Sequence, residues 1–339
     1  MRVDREELLQ ALELCEPGLS RKEIVEQSTC FVFLNGYLMA YNDEVFCRTK
    51  SPLADELTGA VQGRPLLDLV RALPDKSIEI YPKGKKYLMV EGRNKGAGIR
   101  WEENVTWKGK EIERPKEWNK LHSKFNDAVA LVQECAGKKQ QNFAIICVHL
   151  VPEFVEAFDN HQAARYKVPT GVRESVLLKR DSLTHITNMD MTKFCETDNW
   201  FYFRNNIGFV LACRRWLEPY PDIARGFVLD KFRPITLPNA LVDAANRAYR
   251  FSKENDDDQD IMVEVQSAKL RVKGTGRSGF YYEKKEVRYK GPPLKFYISP
   301  TLLVEIAERF PECVVGSRKL LVNGSKFKYV ASLSPVEEE

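Results

Sequence analysis

The chain has 339 residues, more than one hydrophobic core usually serves, with 43% hydrophobic and 29% charged residues and a formal net charge of +4. That balance excludes a disordered or uniformly polybasic chain, so any nucleic-acid surface has to be a local segregation of charge. The opening MRVDREELLQ has no apolar core of a signal peptide, and no run approaches the ~20 apolar residues of a membrane span, so a cytoplasmic protein without membrane contact is expected.

In chain order, apolar residues first recur at helical spacing over 4–15, with Leu8, Leu9, Leu12 and Cys15 on one face. Short strand-like runs follow over 30–42, turned by Asn35-Gly36, and then EVFCRTK. RPLLDLVRALPDKSIEIY (64–81) reads as a shorter helix running into a strand. A second long helix is expected over 116–136, with Trp118, Leu121, Phe125, Val129 and Val132 stepping by three or four. NFAIICVHL and EFVEAFDN then read as strands and DSLTHITNMDM as a short helix. The third long helix is expected over 237–252, with Leu241, Ala244, Ala245, Ala248 and Phe251, before DIMVEVQSAKLRVKG and GFYYEKKEVRYKG. SPTLLVEIAERFPECVV (299–315) closes the series as another short helix and strand.

These elements repeat. Leu66 and Leu69 return 117 residues later as Leu183 and Ile186, and Leu73-Pro74-Asp75 returns after 237 residues as Phe310-Pro311-Glu312. A period this long indicates tandem domains rather than a solenoid. The expected fold class is α+β, with three tandem domains at 1–113, 114–230 and 231–339, each placing two helices on antiparallel sheet. Proline-bearing joints are expected at 108–116 and 226–238.

The eight cysteines stand singly with no CxxC, so reduced structural thiols and no metal site are expected. DDDQD (256–260) reads as a solvated turn and not a cation site. KGTGRSG (273–279) lacks the spacing of a phosphate loop and reads as a hairpin, and the last three glutamates read as an acidic tail. No paired carboxylates or nucleophile–base set suggest a reaction, so no catalytic residue and no cofactor are assigned.

The chain resembles the bacterial and phage DNA polymerase III beta subunit, the DNA sliding clamp. REELLQALEL and PLLDLVRALPDKSIEI are similar to that family's first domain. EAFDNHQAARYKVPT resembles its Thr-Asp-Gly-His-Arg segment, keeping Asp159 and His161. WLEPYPDIARGFV resembles its Gly-x-Phe-Pro-Asp-Tyr segment, keeping Pro221, Asp222 and Arg225. Phe158, Asn160 and Gln162 depart from the pattern, as does the ending YVASLSPVEEE. These departures fit a divergent member, bacterial or phage-encoded.

The resemblance implies a head-to-tail homodimer ring around double-stranded DNA, opened by an ATP-dependent clamp loader and tethering a replicative DNA polymerase. Its helices line the channel. The candidate phosphate contacts are therefore Arg21 and Lys22 after the first helix and Arg71 on the second. Further candidates are Lys116, Lys120 and Lys124 on the expected long helix, Lys138 and Lys139 in the loop after it, and Arg247, Arg250 and Lys253 on the third. Phe143, His161, Ala163, Pro221, Arg225, Val330 and Ser332 are the implied pocket for the partner's peptide. The ring joint is implied at 92–101 and near Phe251. Two other readings of the sequence are a clamp-fold binding platform without topological DNA binding and a nucleic-acid-processing enzyme.

Overall fold

A computed structural model describes the chain except residues 54, 56, 114, 139–141, 229–232, 239–240, 255–258, 290–292, 317 and 335–339, and the side chain of Lys110. Lys139, most of the 256–260 turn and the terminal glutamates thus lie outside the described residues.

The same order of elements recurs three times. The first set is β1 (Arg2–Asp4), α1 (Arg5–Cys15), β2 (Cys30–Leu34), β3 (Tyr37–Tyr41), β4 (Val45–Lys50), β5 (Gly59–Gln62), α2 (Gly63–Ala72), β6 (Ser77–Lys83), β7 (Tyr87–Gly92) and β8 (Lys95–Glu102). The second is β9 (Asn119–Lys120), α3 (Phe125–Val132), β10 (Cys147–Val151), β11 (Phe154–Phe158), β12 (Gln162–Lys167), β13 (Val176–Lys179), α4 (Arg180–Thr184), β14 (Lys193–Glu196), β15 (Trp200–Arg204) and β16 (Val210–Arg214). The third is β17 (Arg233–Thr236), α5 (Leu241–Ser252), β18 (Ile261–Gln266), β19 (Lys269–Gly276), β20 (Gly279–Glu286), β21 (Leu294–Ile298), α6 (Pro300–Arg309), β22 (Glu312–Val315), β23 (Lys319–Asn323) and β24 (Phe327–Ser332). Gly63, Arg180 and Pro300 open the short helices, so the repeat runs 117 and then 120 residues, as the sequence spacing requires.

Local chemistry sets these elements. Asp4 caps α1, accepting from the amides of Glu6 and Glu7 at 2.8 and 3.1 Å. Asn35 and Gly36 take φ of 52° and 74°, the left-handed pair that a two-residue hairpin needs, and they join β2 to β3. KGTGRSG turns β19 into β20, the hairpin its composition suggested.

The second long helix is shorter than its periodicity suggests. Asn119 and Lys120 pair with Phe194 and Lys193 of β14, and Leu121 donates its amide to Thr192 O at 2.9 Å. That pairing holds the segment extended until His122, whose carbonyl and Nδ1 receive the amides of Phe125 and Lys124. Lys116 and Lys120 are therefore outside the helix, and Lys124 is its N-cap.

The chain forms two compact units. Unit 1 comprises Met1–Gln133, Lys138–Val155 and Val168–Pro219; unit 2 comprises Glu134–Gly137, Glu156–Lys167 and Tyr220–Glu339. Unit 1 holds a sheet ordered β1-β6-β7-β8-β5-β2-β3-β4-β16-β15-β14-β9. In it β4 pairs with β16, joining first-third strands to second-third strands. Unit 2 uses the same device: β12 pairs with β24, within the run β12-β24-β23-β22-β17. A separate sheet, β20-β19-β18-β21, backs α5.

The expected joint at 108–116 is packed rather than free. Trp107 is fully buried beside the β4–β16 pair, edge-on to Tyr41 and stacked on Phe46 at 5.9 Å, and Tyr202 donates to Glu113 O at 2.6 Å. All eight cysteines are unpaired and seven are buried; burial pushes the Cys15, Cys135 and Cys213 thiols well up, as structural thiols require.

Candidate functional site

The two strand joints differ in how fully their outer faces are filled, and the difference makes a groove. In unit 1 the paired residues Phe46 and Ala212 lie under Trp107, leaving a cavity of only about 20 Å³. The corresponding residues of unit 2, 117 and 118 positions later, are Ala163 and Val330, and Phe227 stands where Trp107 does. A phenylalanine has become alanine and a tryptophan phenylalanine, so less side chain covers the joint.

The apolar row continues across the sheet. Ala163 faces Val330, Val330 faces Leu321, Leu321 faces Val314, and Val314 faces Pro234. Alternation along each strand puts all five side chains on one surface. Ile223 and Phe227, on the helical turn 224–227 and just before it, pack on this row together with Phe158. Beyond Val314 and Leu321 the row opens into a larger cavity of about 740 Å³, walled by Ile235, Ala268, Val287 and Tyr289, with Arg288 and Glu312 at its border. Such a mostly apolar trough with few polar groups suits an extended peptide.

The implied pocket residues distribute as follows. His161 is exposed in the β11–β12 turn, which Asp159 holds by accepting from the amides of His161 and Gln162 at 2.7 and 2.8 Å. The His161 carbonyl accepts from the amide of Ser332 at 2.7 Å, so His161, Ala163, Val330 and Ser332 come together on two paired strands. Pro221 and Arg225 are exposed on the segment that carries Ile223 and Phe227; Asp222 caps its turn through the Ala224 amide at 2.9 Å. Phe143 belongs to unit 1, where it packs on Trp216 at 4.8 Å and under the Lys179 ammonium. Sequence reasoning missed Phe227, Ile223, Leu321 and Val314. The 120-residue step from Trp107 to Phe227 is the signal that finds the first.

The candidate phosphate contacts separate into engaged and available groups. Arg71 lies within 3.0 Å of Glu13 and 3.6 Å of Glu16, tying α2 to α1, and those carboxylates hold its guanidinium above the ordinary range. Arg247 binds Glu283 at 2.7 Å and the Tyr281 hydroxyl at 2.9 Å. Lys124 pairs with Asp127 at 3.0 Å. Lys120 is exposed opposite Lys193, which in turn faces Arg204; Phe125 of α3 packs on Phe203, on the other face of β15. Lys120 thus points away from α3 and not along its polar side, a correction that follows from the strand pairing above. Arg21, Lys22, Lys138, Arg250 and Lys253 are exposed and meet no carboxylate among the described residues. Also among the described residues, no group of three metal-binding side chains converges and no helix is long and apolar enough to cross a membrane.

Comparison with known proteins is structural only: no family model matches the chain, and no curated protein matches its sequence. Among solved structures, the DNA polymerase III beta subunit of Thermotoga maritima matches with a TM-score of 0.82 at 16% identity, over 99% of both chains. The beta chain from Streptococcus pneumoniae matches at 0.80 and 15%, over 99% of each. The DNA polymerase sliding clamp of Bacillus subtilis matches at 0.79 and 12%, over 99% of this chain and 98% of that one. The chain has the sliding-clamp fold. It is a widely divergent instance, recognised from end to end by its structure.

Proposed function

We propose that the protein is a DNA sliding clamp: two copies close head to tail into a ring around duplex DNA, and the groove of unit 2 holds a peptide of the replicative polymerase. The observation that carries this reading is the pair of strand edges left over by the repeat. The third strand of each first meander meets the last strand of the following third, as β4–β16 and β12–β24. The same rule assigns β20 to β8, and among the described residues both have a free side. There, β20 pairs with β19 alone, while β8 is paired along 95–100 only with β7 and meets β5 at Trp101 and Glu102. A second copy can satisfy both edges at once, giving two identical joints and a closed assembly of six domains.

In this reading the domains are 1–113, 114–230 and 231–339. Arg21, Lys22, Lys138, Lys139 and Arg250 supply sequence-independent phosphate contacts that hold without fixing register. An ATP-dependent loader opens the ring, and the protein works in the cytoplasm of a bacterium or infected host, with no catalytic residue of its own. The carboxylates Glu6, Glu7 and Glu13 on α1 favour a second reading, a clamp-fold platform that binds peptides without encircling DNA.

The two readings part on mass and topology. A clamp is expected to be a dimer in solution and, once loaded, to stay on nicked circular DNA but run off after linearisation. A strict monomer with equal retention on both forms overturns the ring.

A further inference from the structure

We infer that the groove of unit 2 ends in a basic recess that takes a carboxylate, so that the peptide bound there is apolar and acidic rather than apolar alone. The inference rests on the groove reading above and specifies the chemistry of its occupant.

Arg165 of β12 lies directly opposite Lys328 of β24, and one step on the amide of Lys167 donates to the carbonyl of Lys326 at 2.7 Å. Four cations therefore crowd two paired strands, an arrangement that is unfavourable between directly opposed like charges. The first joint carries only half of this set: Arg48 and Lys50 correspond to Arg165 and Lys167, but the counterparts of Lys328 and Lys326 are Val210 and Gly208. The two lysines of the facing strand are thus particular to the joint that carries the groove.

Glu156 does not balance the cluster. It is buried and gives its carboxylate to Arg165, at 2.7 Å from Nε and 2.6 Å from Nη2. Lys167, Lys326 and Lys328 meet no carboxylate among the described residues. Together with Arg165 and Phe227 they line a recess of about 110 Å³, room for one small anionic group.

Position selects the occupant. Phe327 and Tyr329 stack on Phe310 at the end of α6, at 4.9 and 5.7 Å. Alternation then turns Lys326, Lys328 and Val330 to the opposite face, away from the helix and onto the groove. The recess is continuous with the apolar row: the Arg165 guanidinium lies 5.5 Å from the centre of the Phe227 ring, and Phe227 itself covers Ala163 and Val330. A peptide lying along the row reaches the lysines with its next residues. Duplex DNA held on the helix side does not. A charge-assisted carboxylate contact both neutralises the lysines and fixes the peptide's direction.

The test uses the full-length protein and an array of synthetic decapeptides sharing Leu-Phe cores, each made with flanking glutamates on either side and with glutamines in their place. The best acidic peptide is expected to bind about tenfold more tightly than its glutamine twin at low salt, and the advantage to vanish near ~0.5 M salt. Lys328→Gln and Lys167→Gln, which keep most of the side-chain stem, are expected to remove the advantage without changing affinity for the glutamine peptide. Equal binding of the twins, or an advantage that survives both substitutions, overturns the recess and leaves the groove standing. Failure of every peptide to bind overturns both. If the substitutions instead weaken retention on circular duplex DNA while peptide binding is unchanged, the anion is a phosphate and the inference is wrong.

Discussion

Ala163 is the residue on which the difference between the two joints turns. Its counterpart Phe46 fills unit 1's joint beneath Trp107, and the backbone pairing is the same in both. A phenylalanine at 163 therefore has a ready geometry, and its ring would occupy the space left to a peptide. Ala163→Phe is expected to abolish peptide binding; because Ala163 is buried beneath Phe227, the larger ring also costs about 1–3 kcal/mol of overpacking, which a melt reads separately. Isothermal titration beside a thermal melt separates the outcomes; undiminished binding by a folded variant would place the peptide elsewhere. The residue scale is also where sequence reading was most uneven. The resemblance names His161, Ala163, Val330 and Ser332 together, and the β12–β24 pairing brings them side by side, although only His161 sits in a retained motif. The state of Arg71 and Arg247 was not legible, because their carboxylates, Glu13 and Glu283, are 58 and 36 positions away and nothing local announces the pairing.

Among elements, the long helices show the limit of periodicity. The apolar stepping from Trp118 to Val132 is real, but its first part is claimed by strand β9, whose partner β14 lies more than 70 residues on. Long-range pairing of this kind overrides local propensity, and only α1 and α5 follow their patterns closely. The edge strand β20 depends on a different long-range tie. Glu283 is held by Lys285 at 2.5 Å, by the Tyr281 hydroxyl at 2.6 Å and by Arg247 of α5, and these hydrogen bonds, with Lys285 the largest influence, lower its pKa to about 2. A carboxylate with a depressed folded-state pKa stabilises the fold above its ordinary value near 4.5 and loses that contribution as pH falls through about 2. Melts of the parent and of Glu283→Gln are expected to differ at neutral pH and to converge in strong acid. A gap of constant size across that range would show that the ionised form contributes nothing to holding β20 on α5.

For the whole molecule, the decisive surface is the solvent face of β20. Its residues alternate, and Phe280 and Tyr282 stand 59% and 51% exposed with their rings stacked at 6.4 Å. Two large aromatics side by side on an open strand edge invite association unless a partner covers them. In the ring proposed above, the edge of β8 would receive them. On β8, Gly96 and Gly98 face Glu91 and Met89 on the side of the sheet that also bears the half-exposed Tyr87, so β8 adds no side chain over these two positions and its next residue on that face is the exposed Arg100. Strand pairing between two copies would lay Phe280 and Tyr282 across these glycines toward Tyr87 and Met89, burying apolar surface on both. The double substitution Phe280→Glu with Tyr282→Glu changes only exposed side chains and should leave each copy folded. It would set two new carboxylates against a backbone edge in a desolvated joint. The expected result is a monomer by light scattering at concentrations where the parent is a dimer, with native circular dichroism and with peptide binding in unit 2 retained. A variant that remains dimeric would mean that the copies meet through some other surface, and the leftover edges would then need another explanation.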